Sequence, residues 1–149
     1  MPTVVFDSSV LIPLIIKASH STRLLLRLER AGWEVALSPQ ILAETRQKME
    51  TKQSVQKWLK MSDEQISLFL DEVLPSRMVK VPGHRQAHGA VKADPDDDKI
   101  IAAALESKAA YIVSEDRHLL DLGEYQGIKI MNRDEFAAEL DRLGVAKTE

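Results

Sequence analysis

Acidic side chains stand at the ends of apolar segments in this chain. Asp7 follows the apolar start of VVFDSSVLI (4–12), and Asp116 follows the apolar segment YIVS (111–114). A lone charge is costly to bury, so a carboxylate in such a place is either a helix cap or part of a shared site. Converging carboxylates repel one another unless a cation compensates them, and hard divalent metals prefer oxygen ligands. Both positions are therefore candidate metal ligands.

The convergence of these acids depends on the elements around them. The run TVVFD (3–7) is apolar and β-branched, which is typical of a buried parallel strand. Strands alternate with helices along the whole sequence, without repeats or a linker. The alternation predicts one domain over residues 1–149, an α/β/α three-layer sandwich with a mostly parallel sheet of four to five strands. Strands are predicted at 3–7, 33–38, 78–81, 111–114 and 128–131, and helices at 9–17, 21–32, 39–52, 56–60, 62–74, 97–108, 118–122 and 132–144.

Local signals mark several helix ends. The first helix has a polar residue before it that can accept a backbone hydrogen bond, and two later helices carry the reciprocal capping-box pattern. The predicted caps are Ser8 or Ser9 for the first helix, and the capping boxes pair Ser62 with Gln65 and Asn132 with Glu135.

The acids map to one edge of the predicted sheet. In open α/β sheets, ligand sites lie at the carboxyl ends of the strands. Asp7 ends the first strand, Glu44 lies early in the helix after the second strand, and Asp116 follows YIVS. The run DPDDD (94–98) precedes the helix that leads into YIVS. We predict that acids from these four places share one or two divalent metal ions.

Helical phase distinguishes the members of the acidic run. Asp97 lies three residues before Ile100 and four before Ile101, so it projects from the buried face of its helix. Asp98 shares a side with Ile101 and Leu105 and is the second choice. We therefore predict Asp97 as the inward-facing acid of the run.

Each acid also has a simple structural role open to it. Asp7 and Asp116 can cap the helices that follow them. Glu44 can be a solvated helix residue, and the run at 94–98 can stabilise a helix N-terminus through the macrodipole. For any one acid, the structural role explains its position about as well as a metal site does. The occurrence of all these acids at one edge of the predicted sheet favours a shared metal site.

Composition excludes several function classes. The net charge is −3, whereas a protein that binds nucleic acid through bulk charge is basic. The absence of cysteine excludes disulfides and a thiolate zinc site, and aromatic residues make up only 5%, which argues against a base-stacking surface. The sequence shows no signal-peptide pattern and no apolar run long enough to span a membrane, so we expect a cytoplasmic protein.

Three segments resemble the PIN domain, and more narrowly the PIN-family toxins of prokaryotic toxin–antitoxin systems. They are VVFDSSVLI, SPQILAETRQKM and DPDDDKIIAAALESKAAYIVSEDRHLL, and the resemblance runs from Val4 to about Glu135. It implies a ribonuclease that depends on Mg²⁺ or Mn²⁺. The sequence departs from the shortest toxins in its longer middle region, roughly Gln53 to Lys92. The implied catalytic and metal-binding acids are Asp7, Glu44, Asp97 and Asp116, with Ser9 and Ser114 at supporting positions.

An RNA substrate requires positive charge around the acidic site. Arg46 and Lys48 follow Glu44, and Arg117 follows Asp116, so these three are the predicted phosphate contacts. The resemblance also implies an antitoxin partner, and we expect a homodimer. The alternative is a non-catalytic metal- or nucleic-acid-binding module with the same fold. A phosphatase with a strand–Asp–x–Asp motif is disfavoured because position 9 is Ser9.

Overall fold

A mostly parallel sheet forms the centre of the computed structural model, which describes residues 2–51, 57–83 and 98–147. The strand order is β3-β2-β1-β4-β6-β5, and every neighbouring pair is parallel except β5 with β6. Apolar, β-branched segments form the central strands because both of their faces are covered. The strands are β1 Thr3–Phe6, β2 Glu34–Leu37, β3 Val79–Lys80, β4 Tyr111–Val113, β5 Glu124–Tyr125 and β6 Ile128–Met131.

The α/β/α class with a mostly parallel sheet is confirmed, but the predicted number of strands is wrong. The described residues contain six strands rather than four to five. The additional strand is β5, which pairs antiparallel with β6 across a two-residue turn at Gln126 and Gly127. Both turn residues have positive φ angles, 49° and 85°, as a tight hairpin requires. A two-residue strand is too short to show an alternating pattern in the sequence.

Helices flank this sheet. Among the described residues no single helix is long and apolar enough to cross a membrane, and the segments Ser8–Ile15 and His20–Arg30 reach that length only together, across a 94° bend. The predicted helix at 9–17 is divided: α1 is Ser8–Leu11, and a 3₁₀ turn follows at Ile12–Ile15. The other helices are α2 His20–Arg30, α3 Pro39–Thr51, α4 Asp63–Leu68 with a π-helical turn Phe69–Val73 and a last turn Leu74–Arg77, α5 Asp98–Ser107, α6 Arg117–Leu122 and α7 Arg133–Arg142.

Buried apolar side chains of the strands and helices form one core. The helix α5 contacts β1 and β2, and α2 packs against α7. Three of the four leucines of α2 and most apolar residues of α4 are buried, so they belong to the core rather than to a surface. Those buried residues are Leu24, Leu25, Leu28, Ile66, Phe69 and Leu70. Both capping boxes that the sequence predicts, at Ser62 and at Asn132, are formed.

An ionised carboxylate is buried at the amino end of β4. Glu139 accepts a hydrogen bond from Tyr111 Oη at 2.6 Å and from Arg142 Nε at 2.6 Å, and its side chain is only 8% exposed. The hydrogen bond from Arg142, followed by that from Tyr111, lowers the pKa of Glu139 to about 2. Burial and the neighbouring Glu139 carboxylate raise the pKa of Tyr111 to about 12. Both shifts favour a neutral phenol bound to a charged carboxylate.

We expect this cluster to make the fold sensitive to acid. The depressed pKa of Glu139 means that its stabilising effect is present above the ordinary glutamate pKa near 4.5 and is lost as the pH falls towards 2. Glu139→Gln should lower the melting temperature at neutral pH, and the difference from wild type should shrink steadily between pH 4.5 and 2. Thermal unfolding followed by circular dichroism checks this, and a difference that does not vary with pH would contradict it.

Candidate functional site

The carboxylate of Asp7 is buried at the carboxyl end of β1. Only 4% of the residue is exposed. Ser9 donates its backbone N–H to Oδ1 at 2.8 Å and also its hydroxyl, and the Ser114 hydroxyl donates to Oδ2. The helix cap is therefore Asp7 itself, not Ser8 or Ser9, because the extended backbone of the strand continues through residue 7 and turns only at Ser8.

Burial dominates the ionisation of this carboxyl group. Desolvation raises the pKa of Asp7, while the hydrogen bonds from Ser114 and Ser9 and the charge of Lys48 act in the opposite direction with smaller effect. A group in this environment gains more from a nearby cation than a solvated carboxylate does, since the local dielectric screening is weak.

Hydrogen bonds between two strand ends connect the segments that carry Asp7 and Asp116. Phe6 pairs with Val113 in the register of β1 and β4, and the Ser114 hydroxyl that binds Asp7 also accepts the N–H of Asp116 at 2.9 Å. The N–H of Glu115 donates to the Ser9 hydroxyl at 2.9 Å. Ser9 and Ser114 thus join the two segments that carry these acids.

Asp116 also caps α6. Its Oδ1 accepts the N–H of His118 at 2.8 Å, and its side chain is 30% exposed. The cap engages Oδ1 of the carboxylate. Capping and metal binding are therefore compatible roles for the same side chain.

Glu44 is held by two lysine side chains. Its side chain is only 15% exposed, and its Oε1 lies 3.7 Å from Lys48 Nζ and 3.5 Å from Lys99 Nζ. Lys48 Nζ also donates to the Ser8 hydroxyl at 2.7 Å. Lys48 thereby links Glu44 on α3 to the residue that follows Asp7.

The remaining predicted acid, Asp97, lies outside the described residues. Its alternative, Asp98, is in α5 and is partly exposed. Over 2–51, 57–83 and 98–147, no three acidic or histidine side chains stand together in a group that could hold a metal. The structure thus joins Asp7 to Asp116, connects Glu44 to that pair through Lys48, and does not describe the fourth acid.

The predicted phosphate contacts have different surroundings. Arg46 donates to Asp71 and lies 3.5 Å from Glu50, so its charge is already balanced within the protein. Arg117 is 90% exposed and stands 4.0 Å from Asp121. Lys48 alone of these three is within the acidic site.

Two contacts at the site were missed from the sequence. Lys99 directly follows the acidic run but was not considered a partner of Glu44, because residues so distant in sequence give no local signal of contact. Arg133 was also missed: its N–H donates to Glu115 at 2.9 Å, and its guanidinium Nε lies 3.6 Å from the same carboxylate. The pair holds the segment between Ser114 and Asp116 against α7.

The chemistry of the described donors fits a hard divalent cation. The donors that Asp7, Glu44 and Asp116 provide are carboxylate oxygens, which Mg²⁺ and Mn²⁺ prefer. Positive charge is already placed next to this group by Lys48 and Lys99. The buried state of Asp7 adds a free-energy reason for a cation to bind there.

Known proteins share this architecture. A sequence model described as PIN domain matches residues 3–118. The fold is similar to VapBC2 from Rickettsia felis, in a crystal structure bound to a promoter DNA fragment, with a TM-score of 0.61, 16% identity, and coverage of 87% of this chain and 98% of that chain. It is also similar to PAE2754 from Pyrobaculum aerophilum, with a TM-score of 0.58, 16% identity and coverage of 95% and 90%. No curated protein sequence matches the chain.

The double role of Ser114 predicts a large effect of its removal. Ser114→Ala takes a donor from the buried carboxylate of Asp7 and an acceptor from the N–H of Asp116, so the free energy of unfolding should fall by about 1–3 kcal/mol. Ser76→Ala is the matched control, because the Ser76 hydroxyl is exposed and bonds only the Val73 carbonyl. It should change stability by less than about 0.5 kcal/mol. Urea unfolding measures both, and equal values would contradict the prediction.

Proposed function

Because the chain belongs to the PIN domain family, we propose that it is a metal-dependent endoribonuclease that hydrolyses phosphodiester bonds of RNA. The observation that supports this most directly is the joining of Asp7 and Asp116 through one serine hydroxyl. Two carboxylates held at neighbouring strand ends, one of them buried, are the start of a site for a divalent metal. Lys48 adds a positive group beside them.

The proposed ligands are the carboxylates at the carboxyl edge of the sheet. They are Asp7, Glu44, Asp116 and Asp97, with Asp98 as the alternative to Asp97. These residues would hold Mg²⁺ or Mn²⁺, which would supply a more acidic bound water and would offset charge on the phosphodiester. Attack of water at phosphorus breaks the bond to the 3′ oxygen, which takes a proton, and leaves a 3′-hydroxyl and a 5′-phosphate.

The other proposed roles belong to the surroundings of these carboxylates. Ser9 and Ser114 fix the orientation of Asp7 by donating to its two oxygens. Lys48 and Arg117 contact phosphates of the RNA, and Arg46 does so by exchanging its partners Asp71 and Glu50 for the substrate. The low aromatic content supports contacts to the RNA backbone rather than base stacking.

The expected biological setting is a toxin–antitoxin system in the cytoplasm. The similarity of fold to VapBC2 supports a protein partner for this chain. We propose that an antitoxin covers the acidic site and that the toxin is a homodimer. Two exposed apolar side chains, Trp58 at 55% and Leu68 at 59%, are available to such protein interfaces.

Substitution of single acids tests the catalytic proposal. Asp116→Asn and Asp7→Asn should each reduce Mg²⁺- or Mn²⁺-dependent cleavage of single-stranded RNA by at least about 100-fold, since each removes a ligand charge. EDTA should abolish wild-type cleavage. Asp121→Asn is the matched control, because Asp121 is an exposed acid on α6, the helix that Asp116 caps.

The outcomes distinguish a metal-dependent ribonuclease from a non-catalytic binding module. Asp116 is partly exposed and asparagine also caps helices, so its variant should keep the wild-type melting temperature even if the buried Asp7 variant does not. Metal-dependent cleavage that survives Asp116→Asn would overturn the assignment of this acid. A wild-type protein that binds RNA without cleaving it in either metal would favour the non-catalytic module.

Growth measurements test the toxin proposal. Induced expression of the wild-type chain in a bacterial host should arrest growth, and Asp116→Asn should not, because the arrest requires RNA cleavage. Immunoblots should show equal amounts of the two proteins. Equal growth of the two strains at equal protein levels would contradict a toxic ribonuclease.

A further inference from the structure

Two lysine ammonium groups from different helices converge on one carboxylate oxygen. Lys48 Nζ on α3 is 3.7 Å from Oε1 of Glu44, and Lys99 Nζ on α5 is 3.5 Å from the same atom. Glu44 by itself balances only one of the two positive charges, which repel each other at such short range. Either ammonium group could bind another anionic oxygen if Glu44 turned away from the pair.

The two lysine side chains are partly exposed, whereas the glutamate between them is mostly covered. The side chains of Lys48 and Lys99 are 32% and 26% exposed, compared with 15% for Glu44. Lysine presents a compact point charge that suits phosphate oxygens. The helices α3 and α5 contact each other, so the two lysines stand on a fixed framework.

The lysine pair adjoins the acids of the proposed metal site. Lys48 Nζ bonds the Ser8 hydroxyl at 2.7 Å, and its charge acts on Asp7. A phosphate bound by the pair would therefore lie beside the same carboxylates that we propose as metal ligands.

We propose that Lys48 and Lys99 form the binding site for the scissile phosphate and that Glu44 blocks this site in the metal-free protein. The inference rests on the proposed function. When Glu44 turns to a divalent metal, both lysines lose their carboxylate partner and take a phosphate oxygen in its place. The exchange forms and breaks only ion pairs. It adds Lys99 to the substrate contacts and couples the binding of metal to that of RNA.

The coupling is reciprocal. If a divalent metal releases the lysines for RNA, then RNA that occupies the lysines must strengthen metal binding by the same factor. In the metal-free protein, Glu44 should compete with RNA for the lysine pair. Removal of the Glu44 charge should therefore expose the phosphate site without any metal.

A double-mutant cycle in EDTA tests this competition without cleavage. The variants are Glu44→Gln, Lys99→Gln and the two combined, and the probe is a fluorescein-labelled single-stranded RNA followed by anisotropy. Lys129→Gln is the matched control, because it removes the same charge at the opposite edge of the sheet, where Lys129 pairs in register with Tyr111 at the start of β4. Melting temperatures establish that each variant is folded.

The cycle should be strongly non-additive. Glu44→Gln should tighten RNA binding by about tenfold, and Lys99→Gln should weaken binding by about twofold in the wild-type background but about tenfold in the Glu44→Gln background. A general effect of net charge would make Lys99→Gln equally harmful in both backgrounds and indistinguishable from Lys129→Gln. That additive result would overturn the proposal.

A second measurement remains informative even if Glu44→Gln does not fold. Ca²⁺ replaces Mg²⁺ as a binding probe, and wild-type RNA affinity should rise by about fivefold or more on its addition. The rise should persist in Lys129→Gln and be lost when Lys48 and Lys99 are both changed to Gln. A rise that survives the loss of both lysines would overturn the proposal.

The results also separate this inference from the proposed function. If the wild type cleaves RNA with a divalent metal but the mutant cycle is additive, the proposed nuclease activity stands and the proposed phosphate site is wrong. A non-additive cycle in a protein that cleaves no RNA would support the phosphate site and contradict the nuclease.

Discussion

The buried carboxylate of Asp7 is the constraint on which the rest of the site depends. A charge with 4% exposure persists only if donors surround it, and these donors are the serine hydroxyls at positions 9 and 114 and the backbone N–H of Ser9. Small residues are required there because β1 turns into α1 directly after Asp7. The same hydroxyls bind the backbone after β4, at Glu115 and Asp116. The hydrogen bonds that stabilise the Asp7 carboxylate thus also fix the relative position of the ends of β1 and β4.

Helix capping and a functional role are not competing explanations for these acids. Asp7 and Asp116 both cap the helix that follows, each by accepting an N–H from the residue two positions on. A strand that ends in a helix needs such a residue, and a parallel sheet gathers these junctions at one edge. The cap holds the side chain in one orientation and leaves further oxygen lone pairs available. A metal site at this edge therefore uses side chains that the fold already positions.

Local sequence signals predicted the parts of the structure that depend on local physics. The strands of the sheet and the capping boxes at Ser62 and Asn132 follow from apolar runs and from short-range hydrogen bonds. The strand β5 was missed because two residues carry no periodicity and its turn, Gln126–Gly127, lacks the common Asn-Gly signal. The placement of Asp7 and Asp116 at the carboxyl ends of neighbouring strands was predictable from the parallel topology. The partner of Glu44 on α5 was not, because it depends on how two distant helices pack.

Two lysine side chains compensate the charge of Glu44 within the fold. Its carboxylate is largely buried, and the two ammonium groups at 3.7 and 3.5 Å supply the positive charge that its environment lacks. Both cations are carried by flexible side chains, so they can leave without disturbing the backbone of α3 or α5. Glu44 is thus held by side chains that can move, whereas the hydrogen bonds around Asp7 fix the ends of two strands.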